Sequence, residues 1–179
     1  MAVAAAGYAD PAPPDALRKR YLHIAVAAAE RALELAPDSA ASHYWYAVNR
    51  ALQLDTQGPF AKVFGIGPVR RSAERAVQLD ERENAGGPLR IRAMLRFKLP
   101  SFLGGNKPLA LADLERAAEL FPGWRENLLF LAQVQVVVVG RDAAIATLER
   151  GLASARLTDP EEESRWERAM AKELARLRG

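Results

Sequence analysis

LLFLAQVQVVVVGRDAAIATLERGL, residues 128–152, is the stretch on which the fold turns. Leu128, Leu131, Ala132 and Gln135 recur at helical spacing. Gly140 interrupts, and Ala144, Leu148, Gly151 and Leu152 resume the same period. Two helices broken at a glycine read as a helical hairpin. Ala132 and Gly151 are the small residues that let two antiparallel helices approach closely. The β-branched run Val136–Val139 also admits a short buried strand, but it continues an unbroken helical period, which favours helix.

The end of this hairpin is not unique. Glu149-Arg150-Gly151-Leu152 echoes Glu30-Arg31-Ala32-Leu33, Glu74-Arg75-Ala76-Val77 and Glu115-Arg116-Ala117-Ala118. The phrases begin at residues 30, 74, 115 and 149, at intervals of 44, 41 and 34 residues. Such recurrence marks stacked helix pairs, each unable to bury its apolar face alone. The expected fold class is all-α: a short right-handed superhelical array of antiparallel helix pairs, about eight helices in all. Residues 15–179 read as a single helical-repeat domain whose last helix caps the array.

The punctuation agrees. Leu22, Ala25, Val26, Ala29, Ala32, Leu33 and Ala36 form one helical face, which Pro37 ends. Asp38 or Ser39 can cap the next helix, which holds the aromatic cluster Tyr44-Trp45-Tyr46. Residues 55–67 contain three glycines and a proline and read as an inserted loop with room for one short turn of helix, and helix resumes at about Pro68. Gly86-Gly87-Pro88 marks a bend before Leu89–Phe97. Pro100–Gly105 is a second irregular loop. Asn106 can cap a helix to Leu120, with Pro108 in its first turn. Asp159-Pro160-Glu161-Glu162-Glu163 places a cap, a proline and three carboxylates at the positive end of the last helix.

Bulk composition sets outer limits. The 179 residues suffice for a continuous core. Twenty-five basic residues oppose 22 acidic ones, for a net charge of +3. Basic residues alternate with acidic ones along helix faces and form no compact tail, which argues against nucleic-acid binding. Cysteine is absent, excluding disulfides, zinc ribbons and thiol catalysis in these residues. No stretch approaches the ~20 apolar residues of a membrane span. Residues 1–14, rich in Ala and Pro, read as a disordered leader or as the tail of a secretion signal. The compartment stays open between periplasm and cytoplasm.

The hairpin at 128–152 resembles the tetratricopeptide repeat in its small and apolar positions and in the 34-residue interval before it. His43-x2-Tyr46-Ala47 and Leu89-x2-Arg92-Ala93 are degenerate versions. Tyr44-Trp45-Tyr46-Ala47, Gly86-Gly87-Pro88 and the stretch from Leu99 to Ala110 resemble one subgroup more closely, over residues 20–155. That subgroup holds the T component of tripartite ATP-independent periplasmic transporters and the regulator-of-microtubule-dynamics proteins. The resemblance implies a protein partner, such as a transporter substrate-binding protein.

Catalytic spacing is missing from the sequence. His23 and His43 lie 20 residues apart without further ligand spacing, so no metal site is expected and no cofactor is called for. Gly104-Gly105-Asn106-Lys107 lacks the full phosphate-loop pattern and reads as a helix connection. Arg92 and Arg96, four apart, share a helix face that reads by default as solvated. Arg90 lies on another face, from which it could enter a groove and pair with a carboxylate or phosphate. In helix-pair arrays the first helix of each pair lines the concave face. Those helices carry Tyr44, Val48, Asn49, Arg90, Met94, Phe97 and Gln133, a mixture suited to a peptide or an amphipathic small molecule. The expected function is therefore non-enzymatic: a binding or scaffold protein with a protein or peptide partner. The alternative is a periplasmic transporter accessory that holds a small hydrophobic ligand. Val136–Val139 or the cluster near Trp45 could supply an oligomer contact.

Overall fold

The structure, a computed structural model, describes residues 15–57, 59–155 and 157–179, with side chains throughout except at 59–62. The leader reading of residues 1–14 lies outside these. The described chain is helical from end to end and contains no strand. It divides into two compact units, Met1–Ile91 and Arg92–Gly179.

In the first unit, α1 (Asp15–Leu35) buries Leu22, Val26 and Ala29, four and three residues apart. After a short turn comes α2 (Ala40–Asp55). The Ser39 side chain caps it by accepting from the Ser42 N–H. Tyr44, Ala47, Val48 and Leu54 form its buried face.

The third helix, α3, runs Pro59–Leu79, which corrects the expected loop over 55–67. Its interior Pro68 lacks an N–H, and its glycines disfavour helix. Tertiary packing overrides both. Ile66, Val69, Ala73 and Ala76 recur at helical spacing and are buried. Gly65 is itself a packing residue, since a Cβ there would sit 2.5 Å from Leu54 Cδ2. Leu54, near the end of α2, thus meets the first turns of α3. At the far end His43 Nδ1 lies 3.1 Å from Ser72 Oγ. The two helices therefore run antiparallel, as an array of hairpins requires.

The fourth helix, α4, spans Glu83–Lys98 and begins with a left-handed turn. Asn84, Ala85 and Gly86 have φ of 47°, 51° and 83°. This is the bend read from Gly86-Gly87-Pro88. The regular helix starts beyond it, with Pro88 in the first turn where a missing N–H is tolerated.

The second unit holds the rest of α4 and a 3-10 turn at Ser101–Leu103. Then follow α5 (Lys107–Leu120), α6 (Arg125–Val138), α7 (Arg141–Ala153) and α8 (Pro160–Arg178). Asn106 caps α5 by accepting from the Leu109 N–H, and Asp159 caps α8 by accepting from the Glu161 and Glu162 N–H groups. Val136–Val138 completes α6, so the β-branched run is helix. Helices α6 and α7 pack as the expected hairpin. A Cβ at Gly151, near the end of α7, would lie 3.2 Å from Leu128 Cδ1 at the start of α6. Ala132, Ala144 and Leu148 are buried beside them. Helix α8 lies against both, with Trp166, Met170, Leu174 and Leu177 inward. Each Leu or Met so buried contributes about 1.5–3 kcal/mol of transfer free energy. Among the described residues no helix is long and apolar enough to cross a membrane.

Candidate functional site

The expected groove residues separate by depth. Tyr44, Val48, Asn49 and Arg90 are buried in the first unit. Met94, Phe97 and Gln133 are half-buried in the second. Tyr44 and Val48 pack with Ala76, and the half-buried Trp45, Leu52 and Ile91 surround them.

Tyr44 and Arg90 converge on the left-handed turn. The Asn84 amide donates to the Tyr44 hydroxyl at 2.9 Å. The Arg90 guanidinium donates to the Ala85 carbonyl at 2.8 Å and to the Asn84 carbonyl at 3.2 Å. Gly87 is small because the phenol ring lies over it: a Cβ there would be 2.7 Å from Tyr44 Cζ. A left-handed alanine is strained, and these contacts hold it in place. Arg90, 3% exposed, therefore turns onto its own backbone rather than out toward a ligand anion. Its removal takes a charged donor from two part-buried carbonyls and leaves the space of a buried side chain, so Arg90→Ala is expected to cost about 1–3 kcal/mol. Urea unfolding would measure this, with the exposed Arg70→Ala as a control within about 0.5 kcal/mol.

In the second unit a carboxylate that the sequence did not single out organises two of the arginines. Asp113 on α5, buried, accepts from Arg92 Nε at 3.1 Å and Nη2 at 2.7 Å, and from Arg96 Nη1 at 2.7 Å. Arg92 and Arg96 do share a helix face, but at 16% and 22% exposed their side chains are turned onto Asp113 rather than out into solvent. Their i,i+4 spacing was legible; the carboxylate 17 and 21 residues away was not.

A second buried ion pair joins α6 to the start of α8. Arg125 bonds Glu163, donates to the Ser154 carbonyl at 2.6 Å and lies 3.4 Å from Glu167. Glu163 also accepts from the Leu157 N–H at 2.7 Å and the Thr158 N–H at 2.9 Å. Burial by itself raises the Glu163 pKa. The two backbone donors and the Arg125 guanidinium outweigh it, and the net value falls below the ordinary glutamate range. Of the acidic run, Glu161 and Glu162 stand at the helix dipole as expected, whereas Glu163 is an interior ion.

The glycine-rich connection at 104–107 is a helix link. Gly104 N–H donates to the Ser101 carbonyl, Gly105 N–H to Pro100 and Asn106 N–H to Arg96. Those amides already have partners, in the loop and near the end of α4. His43 bridges Ser72 and the Pro37 carbonyl, 2.8 Å from Nε2, as a packed helix residue does. Among the described residues no group of three or more His, Asp or Glu is placed to hold a metal ion.

A family model described as Regulator of microtubule dynamics protein 1-3 matches residues 1–85. That span contains α1, α2, α3 and the first residues of α4. No curated protein matches the chain.

Proposed function

We propose that this chain is a non-enzymatic interaction module of tetratricopeptide-like helix pairs that binds a protein or peptide partner. The match of residues 1–85 to a family named for regulating microtubule dynamics carries the reading. The antiparallel packing of α2 with α3 and of α6 with α7 supports it, because stacked helix pairs serve as binding scaffolds. Within the expected site, Met94, Phe97 and Gln133 keep accessible surface and supply the contacts. Tyr44, Val48, Asn49 and Arg90 are buried in the first unit and fix their own helices. Met94 and Phe97 are three residues apart on α4 and share a face, which suits an apolar side chain of a bound segment.

The test is co-sedimentation of the full chain with polymerised tubulin, alongside tubulin turbidity. The expected result is saturable pelleting that Phe97→Ala and Gln133→Ala reduce severalfold with unchanged circular dichroism. Equal pelleting by parent and variants removes these residues from the site. No pelleting and no effect on polymerisation removes this partner class. Denaturing extraction followed by mass spectrometry covers the transporter-accessory alternative, which predicts a co-purified hydrophobic ligand. Turnover in a broad hydrolase screen would contradict a purely binding role.

A further inference from the structure

Helix α1 carries two apolar faces, centred roughly a third to a half of a turn apart. Leu22, Val26 and Ala29 face the core. On the other face Leu17, Tyr21, Ile24, Ala28 and Leu35 form a stripe, with Arg31 completing it at spacings of four, three, four, three and four. That is the seam period of paired helices. Leu17, Tyr21, Ile24 and Leu35 are 39%, 50%, 55% and 69% exposed. One exposed leucine means little, but four large apolar side chains in register on one helix form a patch.

We infer that this stripe pairs with the same stripe of a second copy of the chain, the two α1 helices running antiparallel. Two independent features select this occupant. The first is size. The stripe is symmetric about the level of residue 26, so an antiparallel copy sets Leu17 against Leu35, Tyr21 against Arg31 and Ile24 against Ala28. The large Ile24 meets the small Ala28 at the centre, and leucines close both ends over about 27 Å. The second feature is charge. Arg18, Lys19 and Arg20 lie in the first half of α1, whereas Glu30 and Glu34 lie in the second. A parallel pair sets basic against basic. An antiparallel pair brings Arg20, beside the stripe, to the level of residue 32 of the partner, about 3 Å along the axis from Glu34 on the same flank. Twofold symmetry makes that contact twice, as an isologous interface requires. Glu34 is exposed and already held by Arg31 at 2.7 Å, so it is poised at the rim. This inference is independent of the microtubule reading.

Sedimentation equilibrium of the full chain over about 5–500 µM is the test, because a single helix pair gives a concentration-dependent dimer. The expected result is a reversible dimer. Ile24→Glu should leave only monomer with unchanged circular dichroism. Arg20→Glu and Glu34→Arg should each weaken the dimer about tenfold, and the double variant R20E/E34R should recover most of the loss. The cysteine-free sequence allows a direction test. A mixture of Leu17→Cys and Leu35→Cys chains should cross-link faster than either alone. A monomer at every concentration overturns the proposal, as does a dimer indifferent to Ile24→Glu. Preferential self-linking of Leu17→Cys overturns the antiparallel pair. A monomer that dimerises only after deletion of residues 1–14 would identify that segment as the occupant instead.

Discussion

Glu163→Ala is expected to destabilise the protein by about 3–5 kcal/mol, the cost of leaving one member of a buried ion pair without its partner. The Arg125 side chain is 3% exposed and that of Glu163 is 4% exposed. Water cannot replace the lost carboxylate. The damage spreads further than the pair, because Glu163 also receives the N–H groups of Leu157 and Thr158 and so shapes the chain entering α8. Glu161→Ala, two residues away at the exposed helix start, should cost less than about 1 kcal/mol. Chemical denaturation of the two variants separates an interior ion from a dipole charge. A second readout is pH. The pKa of Glu163 is lowered in the folded state, so its stabilisation is fully present above the unfolded value of about 4.3 and is lost as pH falls through the folded value. The unfolding free energy of the parent should therefore drop on acidification below about pH 4.3, and Glu163→Gln should drop less steeply. Parallel pH profiles would show that Glu163 is not the ion described.

The features legible in the sequence are those set by near neighbours. Asn106 and Asp159 are legible as caps, and Ser39 as one of two candidates beside Asp38, because a cap needs only the first turn that follows it. Ala47, Ala93, Ala132 and Gly151 were read as close-approach positions, because helical period places them on the inner face; all four are buried. The unread features depend on distant partners. The first turns of α3 form against local signals because Gly65 lies against Leu54 and Ile66 is buried. Arg90 finds its carbonyls only because Asn84 and Ala85 are left-handed, and a sequence does not announce that conformation at an alanine. Asp113 and Glu163 look like any other charge on an amphipathic helix. Nothing in their spacing to Arg92, Arg96 or Arg125 distinguishes a buried pair from a solvated one. The candidate site was thus legible as a set of helices but not by depth, and depth decides which of its residues can meet a partner.

Gly105→Ala is expected to be the other severe change, at several kcal/mol, the upper end for a point substitution. A Cβ at Gly105 would sit 1.8 Å from the Leu99 carbonyl oxygen and 2.6 Å from its carbon. Both are backbone atoms, so no side chain can rotate aside. Gly151→Ala makes the contrasting case. Its nearest obstacle, 2.2 Å away, is the terminal methyl of Met170, the far end of a flexible side chain that can swing, and the cost there should stay below about 1.5 kcal/mol. The consequence at Gly105 also has a direction. Separating residue 105 from Leu99 breaks the Gly105 N–H bond to Pro100 and pulls on the 2.7 Å bond from the Asn106 N–H to the Arg96 carbonyl. Asn106 is the cap of α5, and α5 carries Asp113. The same displacement therefore loosens the clamp on Arg92 and Arg96. Hydrogen exchange should show lost protection beginning at the first turn of α5 in Gly105→Ala, with α7 and α8 retaining theirs until global unfolding. Equal losses for the two alanine variants would mean that the crossing at Leu99 is looser than its geometry.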